Sequence, residues 1–215
     1  EMFIRSKFHF GTADERELAG KMIDAVAQEE SYKDESQIWI FDRGFPSLSL
    51  IQKLLEHRLY FVMQVSSSFL KEVNVFRKSK YVDRVIHIEY SEHRAAHNHM
   101  HAEGISQFDL RCVRIKLSSG EEEILVTNLD RKDFPKRDIK EIYRLRWGIE
   151  TGFNYLKNAV FVEEFVSKTE NGLAQDYFVS LLVYNFATCI CGSMHPDIPK
   201  KENTSTRSIE ELPPD

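Results

Sequence analysis

What this chain of 215 residues lacks narrows its class first. It carries three cysteines, Cys112 alone and the pair Cys189 and Cys191. Neither a disulfide framework nor a paired C-x-x-C zinc signature can be written from them, so a reduced, cytosolic protein is expected. No apolar run approaches the ~20 residues that span a bilayer, and no membrane partner is expected. The opening Glu1-Met2 has mid-strand character and does not read as a signal peptide. A basic excess is missing too, since 29 Lys and Arg face 34 Asp and Glu for a net charge of −5. Nucleic-acid binders ordinarily carry a basic footprint, so any phosphate contact here must come from a local patch. One run qualifies: Arg131, Lys132, Lys136, Arg137, Lys140, Arg144 and Arg146. Taken alone, it reads first as a solvated helix face. The length suffices for one substantial core, or a core with an insertion.

Along the chain, Met2, Ile4, Phe8 and Phe10 alternate with Arg5, Lys7 and His9, the pattern of a half-buried strand. Thr12 to Glu15 spells a capping box that opens a helix carrying Leu18, Met22, Ile23 and Val26 inward. Residues 38–41 are continuously apolar, as in a strand covered on both faces, and Asp42 sits at its end. A helix is predicted over 46–57 and a strand over 59–65. From there to Thr127 the texture is β, with strands over 81–90, 108–117 and 122–127 and no strong long helix. Most of the apolar surface of a later helix over 172–189 is expected to pack on the core. The tail from Met194 lacks periodicity and is expected to be mobile.

Between these lies a helix-like stretch, residues 143–157, that gathers Tyr143, Arg146, Glu150 and Lys157. At roughly 100° per residue the four fall within an arc of about 60°. Ile142, Leu145, Ile149, Phe153 and Leu156 cluster beside them, an apolar face able to anchor the helix. A carboxylate flanked by cations and a phenol suits divalent metal and phosphate, although any amphipathic helix of this length carries several charges. Asp42 likewise has two readings. It starts an Asp-Arg-Gly turn, or it is a carboxylate leaving a buried strand, where α/β sheets bind ligands. His93, His97, His99 and His101, with Glu92 and Glu103, form a local cluster that reads as a solvated loop before a metal site.

The spacing Y-x2-R-x3-E-x6-K, matched at all four positions, closely resembles the signature of the insertion-sequence-four family of bacterial DDE transposases. Upstream, Ile38-Trp39-Ile40-Phe41-Asp42-Arg43-Gly44-Phe45-Pro46-Ser47 is similar to that family's strand ending in its second catalytic aspartate. Leu125 to Leu129 before the helix, and Gln175-Asp176 leading to Tyr184-Asn185 after it, extend the resemblance.

The resemblance implies an α/β fold, a ribonuclease-H-like catalytic core with a β-rich insertion that lacks its opening strands. Its parts are expected over 1–60 (partial core), 61–128 (insertion), 129–192 (core helices with the signature) and 193–215 (tail). It implies that Asp42 and Glu150 are catalytic and bind metal, Mg2+ or Mn2+ in a two-ion site. Tyr143, Arg146 and Lys157 would contact phosphates, and Trp147 would stack on a base. The implied partners are double-stranded DNA of transposon ends and target, and a second copy of the chain, in a bacterial cytoplasm at the nucleoid. The family's first aspartate belongs to a strand upstream of Glu1, and Asp14, Asp24 and Asp34 lie in a helix or its flanking turn. The ion site is therefore expected to be incomplete and the chain inactive by itself. The alternative is a non-catalytic remnant that binds DNA or a partner through the 143–157 helix.

Overall fold

A computed structural model describes residues 14–29, 37–66, 68–89, 91, 107–117, 120–159 and 167–193. The strand expected over 2–10, Thr12, the histidine cluster, the segment 161–165 and the tail lie outside the described residues. The chain divides into two units, one of residues 14–146 and one of residues 1–13 with 147–215.

The first unit is built on a five-stranded mixed sheet in the order β1-β2-β5-β4-β3. Its strands are β1 (Ile38–Phe41), β2 (Tyr60–Val65), β3 (Asp83–Glu89), β4 (Gln107–Lys116) and β5 (Glu122–Thr127). β1 and β2 are parallel, with Ile40 opposite Val62, and parallel neighbours need a crossover. Helix α2 (Leu48–Glu56) supplies it, started by Ser47, whose hydroxyl accepts the Leu50 amide at 3.2 Å. The remaining pairs are antiparallel. β4 turns into β5 through Gly120, whose φ of +92° is a conformation that glycine adopts without a Cβ clash.

Alternation along the strands sorts side chains to two faces. Phe61, Met63 and Val65 of β2 join Ile124 and Val126 of β5 in a core with Ile23, Leu48, Ile51, Leu54, Val73 and Phe76. Those last six come from α1 (Glu15–Ala27), α2 and α3 (Lys71–Lys78). On the opposite face Val62, Val113, Ile115 and Leu125 pack with Leu129 and with Ile139 and Tyr143 of α4 (Lys136–Arg144). Three layers result, with the sheet between helices.

Helix α1 is capped by Asp14, whose carboxylate accepts the Arg16 amide at 2.9 Å. It is tied to α2 by Asp24, which meets Lys53 and sits 3.0 Å from the His57 ring. The stretch up to Thr127, read as β in texture without a strong long helix, also holds the short helix α3. That helix has eight residues, of which only Val73 and Phe76 are buried, too short a stripe to stand out. Its C-terminal carbonyls are gathered by Arg114, which donates to Phe76, Arg77 and Ser79 at 3.2, 2.8 and 3.0 Å.

A second arginine holds the approach to α4. Arg111, 4% exposed, clasps Asp83 with two hydrogen bonds of 3.0 and 2.8 Å. Its remaining nitrogen donates to the carbonyls of Leu129, Asp130 and Phe134 at 3.3, 3.2 and 2.7 Å. Strand β3 and the loop that delivers α4 are thereby fixed to one side chain.

In the second unit, α5 (Arg146–Ala159, whose first residue closes the first unit) and α6 (Glu170–Ser193) are the described elements. Thr169 starts α6, its hydroxyl accepting the Gly172 amide at 3.2 Å. The rings of Tyr155 and Tyr184 meet edge-on at 5.6 Å. The expectation that α6 buries most of its apolar surface is not met: Phe178, Val179, Leu182, Val183, Phe186 and Ile190 are exposed, and Leu181 is buried. Its apolar residues occur all round the helix, so one packing face cannot cover them. No helix among the described residues is long and apolar enough to cross a membrane.

Candidate active site

Asp42 follows the last residue of β1, and Gln64 lies near the end of the parallel neighbour β2. Parallel strands deliver their carboxyl ends to one edge, so both residues arrive at the same edge of the sheet. The Asp42 carboxylate accepts the Gly44 amide at 2.8 Å, and a Cβ built on Gly44 would meet that same oxygen at 3.3 Å. The turn reading of Asp42 is thus realised, and it holds the carboxylate in a fixed orientation at the strand end.

On the α4 face of the sheet, polar side chains form a chain of contacts. The Tyr143 hydroxyl donates to Gln64 Oε1 at 3.0 Å, and Gln64 Nε2 donates to Glu123 Oε1 at 2.8 Å. The order of the amide atoms is dictated by its partners, because an ionised carboxylate can only accept and the amide nitrogen can only donate. Arg146 lies over the Tyr143 ring, its guanidinium carbon 5.6 Å from the centroid, a cation–π distance. Burial pushes the Tyr143 hydroxyl up to about 12; Arg146 opposes this while Glu123 and Asp42 reinforce it. Burial likewise raises the Glu123 carboxyl, against the pull of Arg146 and Arg43. Asp42, Arg43, Gln64, Glu123, Tyr143 and Arg146 therefore share one electrostatic neighbourhood.

A family model for the transposase DDE domain matches residues 2–186. The chain belongs to the DDE transposase family. Two curated relatives agree with this placement. One, named as a transposase for insertion sequence element IS4SA of Synechocystis sp., is 24% identical over 182 residues, 82% of this chain and 46% of the relative. The other, named as transposase y4zB of Sinorhizobium fredii, is 27% identical over 150 residues, 68% of this chain and 40% of the relative. The chain spans less than half the length of either relative.

Within this DDE domain, the residues singled out by spacing fall on both units. Asp42, Tyr143 and Arg146 belong to the first; Trp147, Glu150 and Lys157 belong to the second. The single helix expected through residues 143–157 is two, since α4 ends at Arg144 and α5 begins at Arg146, with Leu145 as a turn between them. Leu145 and Ile149, expected on an anchoring face, are 57% and 48% exposed, whereas Ile142 packs on the sheet. Tyr143 is buried at 5% and gives its hydroxyl to Gln64, while Trp147 is 60% exposed. Glu150 is exposed on α5. Lys157 lies on the same helix, and its side chain is outside the described residues.

DDE domains use divalent metal ions. Asp42 offers one carboxylate oxygen beyond the one held by Gly44, the right donor chemistry for such an ion. No group of three or more His, Cys, Asp or Glu placed to hold a metal occurs among the described residues. Gln64 and Glu123 were missed by sequence reasoning. The only signal was a polar residue within the buried strand Tyr-Phe-Val-Met-Gln-Val.

Proposed function

We propose that this chain is part of the catalytic region of an insertion-sequence-four type DNA transposase. It cleaves a strand at the transposon end by attack of water and then joins the freed 3′-hydroxyl to a target phosphodiester. The observation that carries this reading is the juxtaposition of Asp42, at the end of a buried parallel strand, with Tyr143 and Arg146 of the Y-R-E-K spacing. In a family that acts on DNA, the strand–helix–strand segment 38–65 corresponds to the part of a ribonuclease-H-like core that bears the second acid.

In this reading Asp42 and Glu150 hold a divalent ion, which when bound neutralises the charge that develops on the reacting phosphate. Arg146 binds non-bridging phosphate oxygens through its planar guanidinium and Lys157 through its ammonium point charge. Buried Tyr143 acts through Arg146, and exposed Trp147 stacks on a base. The substrates are double-stranded transposon ends and target DNA.

The test is Mg2+-dependent cleavage of DNA bearing candidate transposon ends by this chain and by one extended upstream, each with and without Glu150→Gln. Cleavage by either protein that Glu150→Gln silences is the expected result. Duplex binding without cleavage by both folded proteins would instead favour a non-catalytic DNA-binding remnant.

A further inference from the structure

We propose that Gln64 and Glu123 form a positioning relay that sets Tyr143, and through it Arg146, for phosphate contact. The inference rests on the DNA-acting reading above and assigns roles to two residues that the Y-R-E-K spacing does not contain.

Three observations carry it. First, the relay is continuous: Glu123 Oε1 takes Gln64 Nε2 at 2.8 Å, Gln64 Oε1 takes the Tyr143 hydroxyl at 3.0 Å, and Arg146 covers the Tyr143 ring. Second, each member is anchored on a different element: Glu123 on β5, Gln64 on β2 and Tyr143 on α4. The register that places Gln64 opposite Leu125 and Val65 opposite Ile124 brings the first two together. Third, the relay occupies a costly place. A carboxylate and an amide on the α4 face take positions next to Val62 and Leu125, both fully buried. Apolar side chains there would pack against α4 without the cost of burying polar groups.

Their chemistry suggests what the cost secures. Tyr143 sits at the penultimate position of α4, two residues before the helix break at Leu145. A phenol held only by packing could rotate about its side-chain bonds, and the guanidinium lying on it would follow. Hydrogen bonding to an amide that is itself fixed by a carboxylate removes that freedom. Glu123 also places a negative charge near Arg146 and Arg43, which keeps both cations at the sheet edge before a phosphate arrives.

The test measures binding of a labelled double-stranded oligonucleotide, with its salt dependence, by the full chain and by variants whose melting temperatures are recorded in parallel. Gln64→Leu breaks both hydrogen bonds with an apolar residue that the site can bury. Gln64→Glu sets two carboxylates against each other. The exchange Gln64→Glu with Glu123→Gln restores the pattern, because the amide now on β5 donates to the carboxylate on β2, which still accepts from the phenol. Arg146→Ala and Tyr143→Phe are the references.

We expect Gln64→Leu and Gln64→Glu to bind about fivefold to tenfold more weakly, with the salt slope falling by about one, as for Arg146→Ala. The exchange should recover affinity and slope at an unchanged melting temperature, a rescue that a purely structural role does not give. If the references lose binding while both Gln64 variants bind normally, or if the exchange fails to rescue a folded protein, the relay is overturned and the phosphate reading stands. If the references also bind normally, the phosphate reading falls and the relay with it.

Discussion

Arg111→Ala is expected to destabilise the first unit by about 3–5 kcal/mol, the cost of leaving one partner of a buried ion pair alone. Asp83, its side chain 12% exposed, would keep only Arg131, which is 57% exposed, and exposed partners contribute little. The carbonyls of Leu129, Asp130 and Phe134 would lose a shared donor. Total stabilities of about 5–15 kcal/mol make such a loss a large shift in the urea midpoint, and a change below ~1 kcal/mol would show that the clasp carries no weight. Replacing both partners, Arg111→Met with Asp83→Leu, should recover much of the loss. Acid should act in the same direction as the single substitution. Burial raises the Asp83 carboxyl, but its hydrogen bonds and ion pairs with Arg111 and Arg131 outweigh this and hold it below the ordinary carboxylate value. A depressed folded value means stability that is present above the unfolded value and lost as pH falls through the folded one. The denaturation midpoint should therefore drop through that acid window in the native chain, and less so in the double variant.

Asp42→Asn separates charge from geometry. An asparagine oxygen can still accept the Gly44 amide, so the turn should persist and stability should stay within about 0.5 kcal/mol. Metal-dependent cleavage should nevertheless fall by more than about 100-fold, since residues that only support a metal ligand already command 10- to 100-fold effects. Metal-free binding to a duplex should not weaken, because a negative charge has been removed. Cleavage at an undiminished rate, measured in whichever of the two proteins cuts, would remove Asp42 from the chemistry.

How much of this was legible beforehand follows from the length scale of each feature. Strands Ile38–Phe41, Tyr60–Val65 and Glu122–Thr127 stood out as apolar runs between polar links, and Asp42 at a strand end was visible for that reason. Helix α3 was not, because two inward residues make no periodic stripe. The division between α4 and α5 was hidden as well: Leu145 is an ordinary helix former, and neither glycine nor proline marks the break. The wheel that aligned Leu145 and Ile149 with Ile142 assumed an uninterrupted helix, whereas both residues are exposed. The contact between Gln64 and Glu123 was beyond reach of any local pattern, since it exists only through the pairing of β2 with β5.

That pairing also bears on the order in which the molecule assembles. β4 and β5 close across a tight turn, whereas β2 reaches β5 only after the chain has run through α3, β3 and β4, a far larger loop to close. The junction is fastened by side chains: Asn128 accepts the Phe61 amide and donates to the Leu59 carbonyl, both at 3.0 Å, and Thr127 donates to the Phe61 carbonyl. If this seam forms last, Asn128→Ala should accelerate unfolding much more than it slows folding in stopped-flow measurements, and the opposite partition would place the seam in the nucleus. Until it closes, Gln64 and Glu123 have not met, so the domain would acquire its recognition edge and its final fastening in the same event.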